Sequence, residues 1–183
     1  MIMNNLAVLL AERQLKITKV ANDTHISRTT LTALHKNESK MIQLDTVNTL
    51  CKYLETDPGN FFEFVPYDFD FYVDILDDFV YEPGEAPETH EVEAYVNVKG
   101  TKENFSFSYK GIFIKYDPYN FHLDLGLINE KEEQRAIDFF LDLPINVWTK
   151  IESNFSHTAL EEGKKWCEKN PQYQVNVSLI NKN

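Results

Sequence analysis

Between Ser27 and Lys36, the side chains Arg28, Thr29, Thr30, Thr32, Ala33 and Lys36 fill the gaps in an apolar repeat made by Ile26, Leu31 and Leu34. Groups of this kind can read base edges. Arginine donates two parallel hydrogen bonds to a guanine, and threonine offers a hydroxyl together with a methyl that meets thymine. Lys16, Lys19, Arg28, Lys36 and Lys40 cluster in the same part of the chain and could neutralise phosphates, with Thr18, Ser27 and Thr30 as neighbouring hydroxyls. For that chemistry the cations must protrude together, and the acidic Glu12, Asp23, Glu38 and Asp45 must stand clear of phosphate.

The elements that would hold these groups are short helices. Leu6, Leu9, Leu10 and Arg13 follow the helical repeat, as do Ile17, Val20 and Ala21 in a second helix that ends near Thr24. Ser27 stands where an N-cap belongs, opening a third helix over 28–36, and Asn37 can end it in the left-handed conformation usually given to glycine. Leu44, Val47, Leu50, Cys51 and Leu54 make a fourth amphipathic helix, and Asp57-Pro58-Gly59-Asn60-Phe61-Phe62 a short fifth turn. No strand pattern competes, so residues 1–65 are expected to form an all-α bundle. The second and third helices, joined by about three residues, form a helix-turn-helix, the arrangement whose second helix enters a DNA major groove. Val20 and the small Ala21 must pack against Ile26, Leu31 and Leu34, which turns Arg28, Thr29, Thr32, Ala33 and Lys36 outward.

The stretch LKITKVANDTHISRTTLTALHKNESKMIQLDTVNTLCKYLETDPGNFF, about the first third of the chain with its flanks, resembles the lambda-repressor/Cro (XRE) family of helix-turn-helix domains. The resemblance implies that Ile26 to Leu31 begin a recognition helix and that Thr56-Asp57-Pro58-Gly59 close the domain. It also implies sequence-specific binding of double-stranded DNA, usually by a homodimer on an inverted repeat. Three positions depart from the family pattern. His25 stands at the turn position most often Gly, His35 at a frequent Glu, and Asn37 at the Gly that follows. A left-handed histidine costs about 1 kcal/mol relative to glycine, which a packed bundle tolerates.

The net charge of -11 is unevenly placed. Residues 1–65 carry 7 Lys+Arg against 7 Asp+Glu, whereas residues 66–183 carry 11 against 22. After Pro66 the rhythm turns from helical to alternating. Phe69, Phe71, Val73 and Ile75 oppose Asp68, Asp70, Tyr72 and Asp74, and similar alternation recurs at Val92–Val98, Phe105–Tyr109, Phe121–Leu127 and Val175–Leu179. The breakers PGEAPE at 83–88, Lys99-Gly100 and Asp117-Pro118 favour antiparallel neighbours with one face buried. Two helices should cover that face. One is capped by Asn129, carries Ala136, Ile137, Phe140 and Leu141, and stops at Pro144. The other, over 146–169, carries Trp148, Ile151, Phe155, Ala159 and Trp166, with Gly163 and the Asn154-Phe155-Ser156 region allowing a break. The expected class is therefore α+β overall, a helix-turn-helix bundle followed by an acidic α+β domain, residues 66–183, with an antiparallel sheet of about five strands and two or three helices.

Several functions lack support in the sequence. Cys51 and Cys167 are the only cysteines and form no Cys-x-x-Cys or Cys/His cluster. The six glycines build no phosphate loop, no Gly-x-Ser-x-Gly elbow or His-Glu-x-x-His pair occurs, and no Ala-Gly bond is present for self-cleavage. The carboxylates Asp68, Asp70, Asp74, Asp77 and Asp78 read as the wet side of a strand rather than a metal site, and His90, His122 and His157 as isolated histidines. No enzyme activity, metal or cofactor is expected. Apolar runs fall short of the roughly 20 residues of a membrane span, and no basic-then-apolar leader is read at the start, so a cytoplasmic, membrane-free protein is expected. The reading that fits best is a transcriptional regulator, a phage- or mobile-element-type repressor, whose acidic domain dimerises or receives a protein or small-molecule effector. The alternative is an antitoxin whose acidic domain binds a basic partner and whose helix-turn-helix serves autoregulation.

Overall fold

Helices shorter than about twelve residues are marginal alone in water, so the short apolar bursts of the first part of the chain must stabilise one another. The computed structural model describes residues 1–79, 87–117, 120–167, 172–177 and 179, without the side chains of 77–79, 172–174 and 177. The chain divides into two compact units, Met1–Pro66 and Tyr67–Asn183. The first unit runs β1 (Ile2–Asn4), α1 (Leu6–Glu12), α2 (Ile17–Thr24), α3 (Arg28–His35), α4 (Leu44–Leu54), α5 (Pro58–Phe61) and β2 (Phe62–Phe64). One core joins all five helices: Leu6, Leu9 and Leu10 of α1, Val20 of α2, Leu31 and Leu34 of α3, Val47, Leu50, Cys51 and Leu54 of α4, and Phe61 of α5. Leu44, assigned by spacing to the same stripe, lies at the first turn of α4 and is 83% exposed, so the stripe is buried only from Val47 onward.

The ends of these helices are fixed by local chemistry. Among the described residues, four non-glycine residues take left-handed backbone, all in this unit: Gln14, His25, Asn37 and Glu55, with φ of 52°, 59°, 53° and 50°. After α3 the amide of Asn37 donates to the Leu34 carbonyl and that of Glu38 to the Ala33 carbonyl, the paired bonds of a Schellman end. The same pair recurs after α1, from Gln14 to Ala11 and Leu15 to Leu10, and after α4, from Glu55 to Lys52 and Thr56 to Cys51. The Asp57 carboxylate caps α5 by accepting from the amides of Gly59 and Asn60.

The first unit is not all-α. β1 and β2 pair antiparallel, with Ile2 opposite Phe64, Met3 opposite Glu63 and Asn4 opposite Phe62. Strands of three residues are too short to show an alternating pattern, and their pairing joins residues about sixty positions apart, so local periodicity carries no trace of them.

The second unit is a five-stranded sheet with two helices on one face. β3 (Tyr67–Phe79), β4 (Glu88–Gly100), β5 (Asn104–Asp117) and β6 (Asn120–Leu127) form an antiparallel meander. α6 (Glu130–Leu141) and α7 (Ile145–Lys165) follow, and β7 (Gln172–Val177) completes the order β3-β4-β5-β6-β7. The expected antiparallel pairing fails at this last strand, which lies parallel to β6. The reason is the connection: a chain that spends two helices between neighbouring strands can return to its starting end, as parallel pairing requires. α7 is continuous through Asn154–Ser156 and Gly163, where no break occurs; Thr158 bonds its hydroxyl to the Asn154 carbonyl without interrupting the helix. The 83–86 part of the PGEAPE turn, Pro118, and Lys169 at the expected helix end lie outside the described residues, as do the side chains of Asp77 and Asp78.

The inner face is set by alternation. Val92, Ala94, Val96 and Val98 of β4, Phe107, Tyr109 and Phe113 of β5, and Phe121, Leu123 and Leu125 of β6 are buried. They meet Ala136 and Phe140 of α6 and Val147, Ile151, Phe155 and Ala159 of α7, with Phe107 against Phe140 and Tyr109 against Phe155 at ring separations of 4.9 Å each. Gly163 lets α7 close on the sheet, since a Cβ there would stand 2.5 Å from the Phe121 ring. Gly111 does the same between strands: its Cβ would stand 1.8 Å from the Asp124 carbonyl oxygen. Of the carboxylates considered for a metal, Asp70 pairs with Lys99 and Asp74 accepts from the Tyr72 hydroxyl. His90 is buried, with Nδ1 2.9 Å from the Leu76 carbonyl and Nε2 3.1 Å from Glu88 Oε1, while the other oxygen of that carboxylate, Oε2, lies 3.2 Å from the Lys115 ammonium across the β4–β5 pair.

Two outcomes test this packing. Gly111→Ala forces a methyl onto a neighbouring backbone that cannot yield, and is expected to lower the stability of the second unit by about 2–3 kcal/mol in urea unfolding followed by tryptophan fluorescence. Burial alone would raise the Glu88 carboxyl, but hydrogen bonds from His90 and Lys115 outweigh it and hold the group below the ordinary carboxylate range. A carboxyl so lowered contributes stability at neutral pH that is lost as pH falls through its folded pKa. Wild-type stability should therefore fall more steeply than that of Glu88→Gln from about pH 5 to pH 3, monitored at Trp166; parallel curves refute the assignment.

Candidate nucleic-acid interface

α2 and α3 meet through His25-Ile26-Ser27. The left-handed His25 turns the chain, and the Thr24 hydroxyl caps α2 by donating to the Val20 carbonyl at 2.6 Å. Ser27 adopts extended backbone and accepts from the Thr30 amide at 3.0 Å, opening α3 one residue later. α3 is then fixed in rotation by Leu31 and Leu34, which are 0% and 2% exposed. At about 100° per residue, Arg28, Thr29, Thr32, Ala33 and Lys36 fall in an arc of roughly 140° centred opposite those leucines. Arg28, Thr29, Thr32 and Lys36 are exposed, and Ala33 is half-buried beside them.

The hydroxyls of Ser27 and Thr30 have other employment. They lie 2.8 Å apart, and the Ser27 oxygen is also the cap, so both are exposed yet committed to the start of the helix. Lys16 occupies the N-cap position of α2, with Thr18 and Lys19 exposed on the first turn. Lys19 is paired: its ammonium lies 2.8 Å from an Asp23 carboxylate oxygen that accepts from the Tyr53 hydroxyl at 2.6 Å. Those two hydrogen bonds hold the Asp23 carboxyl below its ordinary range, and the Asp23 contact raises Lys19. This triad ties α2 to α4 and pairs the Asp23 carboxylate within the cationic cluster. Lys40 is exposed beyond α3, and among the described residues neither Lys16, Arg28 nor Lys40 makes an ion pair.

A second signal escaped sequence reasoning. Asn4 is buried, and its Nδ2 donates to the Leu34 carbonyl at 2.9 Å and to Asn37 Oδ1 at 2.8 Å. Its Oδ1 accepts from the Leu6 amide that begins α1. A single side chain therefore serves the last turn of α3 and the first of α1. An asparagine ahead of a helix and another after one are each common enough to carry no pairing information.

The arrangement places an exposed guanidinium, hydroxyls and ammonium groups along one short helix whose opposite side is locked into a core. Such a surface can enter a groove of a duplex and contact both base edges and phosphate. Residues 5–67 match the family described as the Cro/C1-type HTH DNA-binding domain. Among known proteins, the chain is similar to the "Uncharacterized HTH-type transcriptional regulator YozG" of Bacillus subtilis (strain 168), with 33% identity over 60 residues that cover 33% of this chain and 71% of that protein. No solved structure matches the chain. Removing the α3 cap by Ser27→Ala is expected to cost about 1 kcal/mol of helix stability. Amide exchange in α3 would then quicken while that in α7 stays unchanged.

Proposed function

The chain belongs to the Cro/C1-type helix-turn-helix family, and on that premise we propose that it is a sequence-specific DNA-binding transcriptional regulator that reads double-stranded DNA with α3. The observation that carries this reading is the exposed row Arg28, Thr29, Thr32 and Lys36 opposite the buried Leu31 and Leu34. In this reading Arg28 and Thr29, at the start of the helix, meet base edges, with Thr32 and Ala33 lining the groove. Lys16, Thr18, Lys36 and Lys40 hold phosphates. Lys19 does so only secondarily, since Asp23 already engages it. Ser27 and Thr30 contribute by shaping the helix start.

One such helix touches few base pairs. We infer that the protein acts as a homodimer on an inverted repeat, the two copies of α3 set about 34 Å apart, as the helical repeat of DNA demands. The acidic residues 66–183 serve as the dimerising and effector-receiving domain, and the cation-bearing first unit confines attraction to its own surface. An open groove of about 690 Å³ between β5 and α6 is the candidate effector site: Arg135 lies over the rings of Phe105 and Phe107 at 5.1 and 5.0 Å, with Phe139 beside them. Repression of a phage or mobile element is the biological role this organisation fits best.

Selection of binding sites from random duplexes, with the mass of the complex measured in solution, tests the reading. A pseudo-palindromic consensus bound by two chains is expected; the absence of any enriched sequence at low salt overturns it. Arg28→Ala and Thr29→Ala should each weaken binding to the selected site by about 1–3 kcal/mol, whereas Lys40→Ala should weaken all duplexes alike and reduce the salt slope by about one.

A further inference from the structure

α3 ends in an unusual joint. Asn37, left-handed at φ 53°, turns its side-chain amide back onto the free edge of β1. Its Oδ1 accepts from the Asn4 backbone amide at 2.8 Å, and its Nδ2 donates to the Asn4 backbone carbonyl at 3.0 Å. That is the pattern a neighbouring strand residue would make, so the side chain of Asn37 stands in for a third strand of the ribbon. The Asn4 side chain closes the joint from the other direction through Asn37 Oδ1 and the Leu34 carbonyl, at 2.8 and 2.9 Å. Glycine at this position would make the left-handed turn with less strain, yet could make none of the side-chain bonds.

The consequence lies in what Leu31 and Leu34 leave undetermined. Two apolar anchors in adjacent turns fix which face of α3 is buried, but apolar contact is non-directional and resists sliding and tilting only weakly. Directional bonds at the last turn remove that freedom. We propose that Asn4 and Asn37 are positioning residues for DNA reading: their reciprocal amide clasp sets the tilt and axial position of α3, so sequence discrimination depends on two residues that project away from the reading face. This inference rests on α3 being the DNA-reading helix.

The test uses the full chain with Asn37→Gly, which keeps the left-handed backbone and removes only the clasp. Affinities of wild type and variant are compared on the selected duplex and on a scrambled one, at one salt concentration and across a salt series. The expected result is a loss of about tenfold or more on the selected duplex, with the scrambled duplex and the salt slope unchanged. Amide exchange without DNA should quicken across Leu31–His35 and leave Leu50–Leu54 unaltered. Discrimination retained in full by Asn37→Gly overturns this inference alone, as does unaltered exchange in α3. Equal losses on both duplexes also overturn it, since they report a fold effect. Wild-type protein that fails to discriminate overturns the DNA-binding reading, and this inference with it.

Discussion

An eight-residue helix closes too few hydrogen bonds to persist by itself, and the first unit is organised around that constraint. α3 draws its structure from three sources at once: the Ser27 cap at one end, the buried Leu31 and Leu34 along its length, and the Schellman bonds with the Asn4–Asn37 clasp at the other. Each acts on a different degree of freedom. The cap sets where the helix begins, the leucines set its rotation, and the clasp sets how its end meets the rest of the bundle. A surface that must fit a groove has to be rigid before it meets the groove, because ordering it on contact would be subtracted from affinity.

The parts legible in sequence were those fixed within one or two turns. Ser27 as cap of α3 and Asn129 as cap of α6 follow from side chains bonding to nearby amides, and the left-handed His25 and Asn37 from their places just after short helices. Alternation marked β3 to β6 for the same reason, since each strand declares its buried face residue by residue. What escaped was long-range. The β1–β2 ribbon, the parallel β6–β7 pair, the hydroxyl of Tyr53 on Asp23 and the Asn4–Asn37 clasp join residues 30 or more positions apart. For the candidate interface, residue type and spacing placed the exposed row on α3. They could not distinguish side chains with open valence, such as Arg28, from Ser27, Thr30 and Lys19, whose polar atoms are partly occupied inside the unit.

The second unit obeys a different logic. Its sheet gains a covered face from α6 and α7, and glycines appear where two pieces of backbone or a helix and a ring must approach. Its outer face keeps Asp68, Asp70 and Glu91 exposed. The split between a charge-balanced first part and a carboxylate-rich second part thus coincides with a change in architecture. Under the proposed function this division lets one region seek phosphate while the other is repelled by it, and orientation on the duplex follows from charge before any base is read.

Four helices of the first unit terminate on left-handed Gln, His, Asn and Glu, and the first glycine of the chain is Gly59. A chain without glycine in its turns has fewer conformations open to it when unfolded, which favours folding, while every native left-handed side chain adds strain, which opposes it. The two effects act on opposite states, so the bundle carries a reserve of stability that substitutions at Gln14 or Glu55 could release without altering the exposed row of α3. Natural variation in thermal tolerance among such domains therefore has a route open to it that leaves their contacts with other molecules alone.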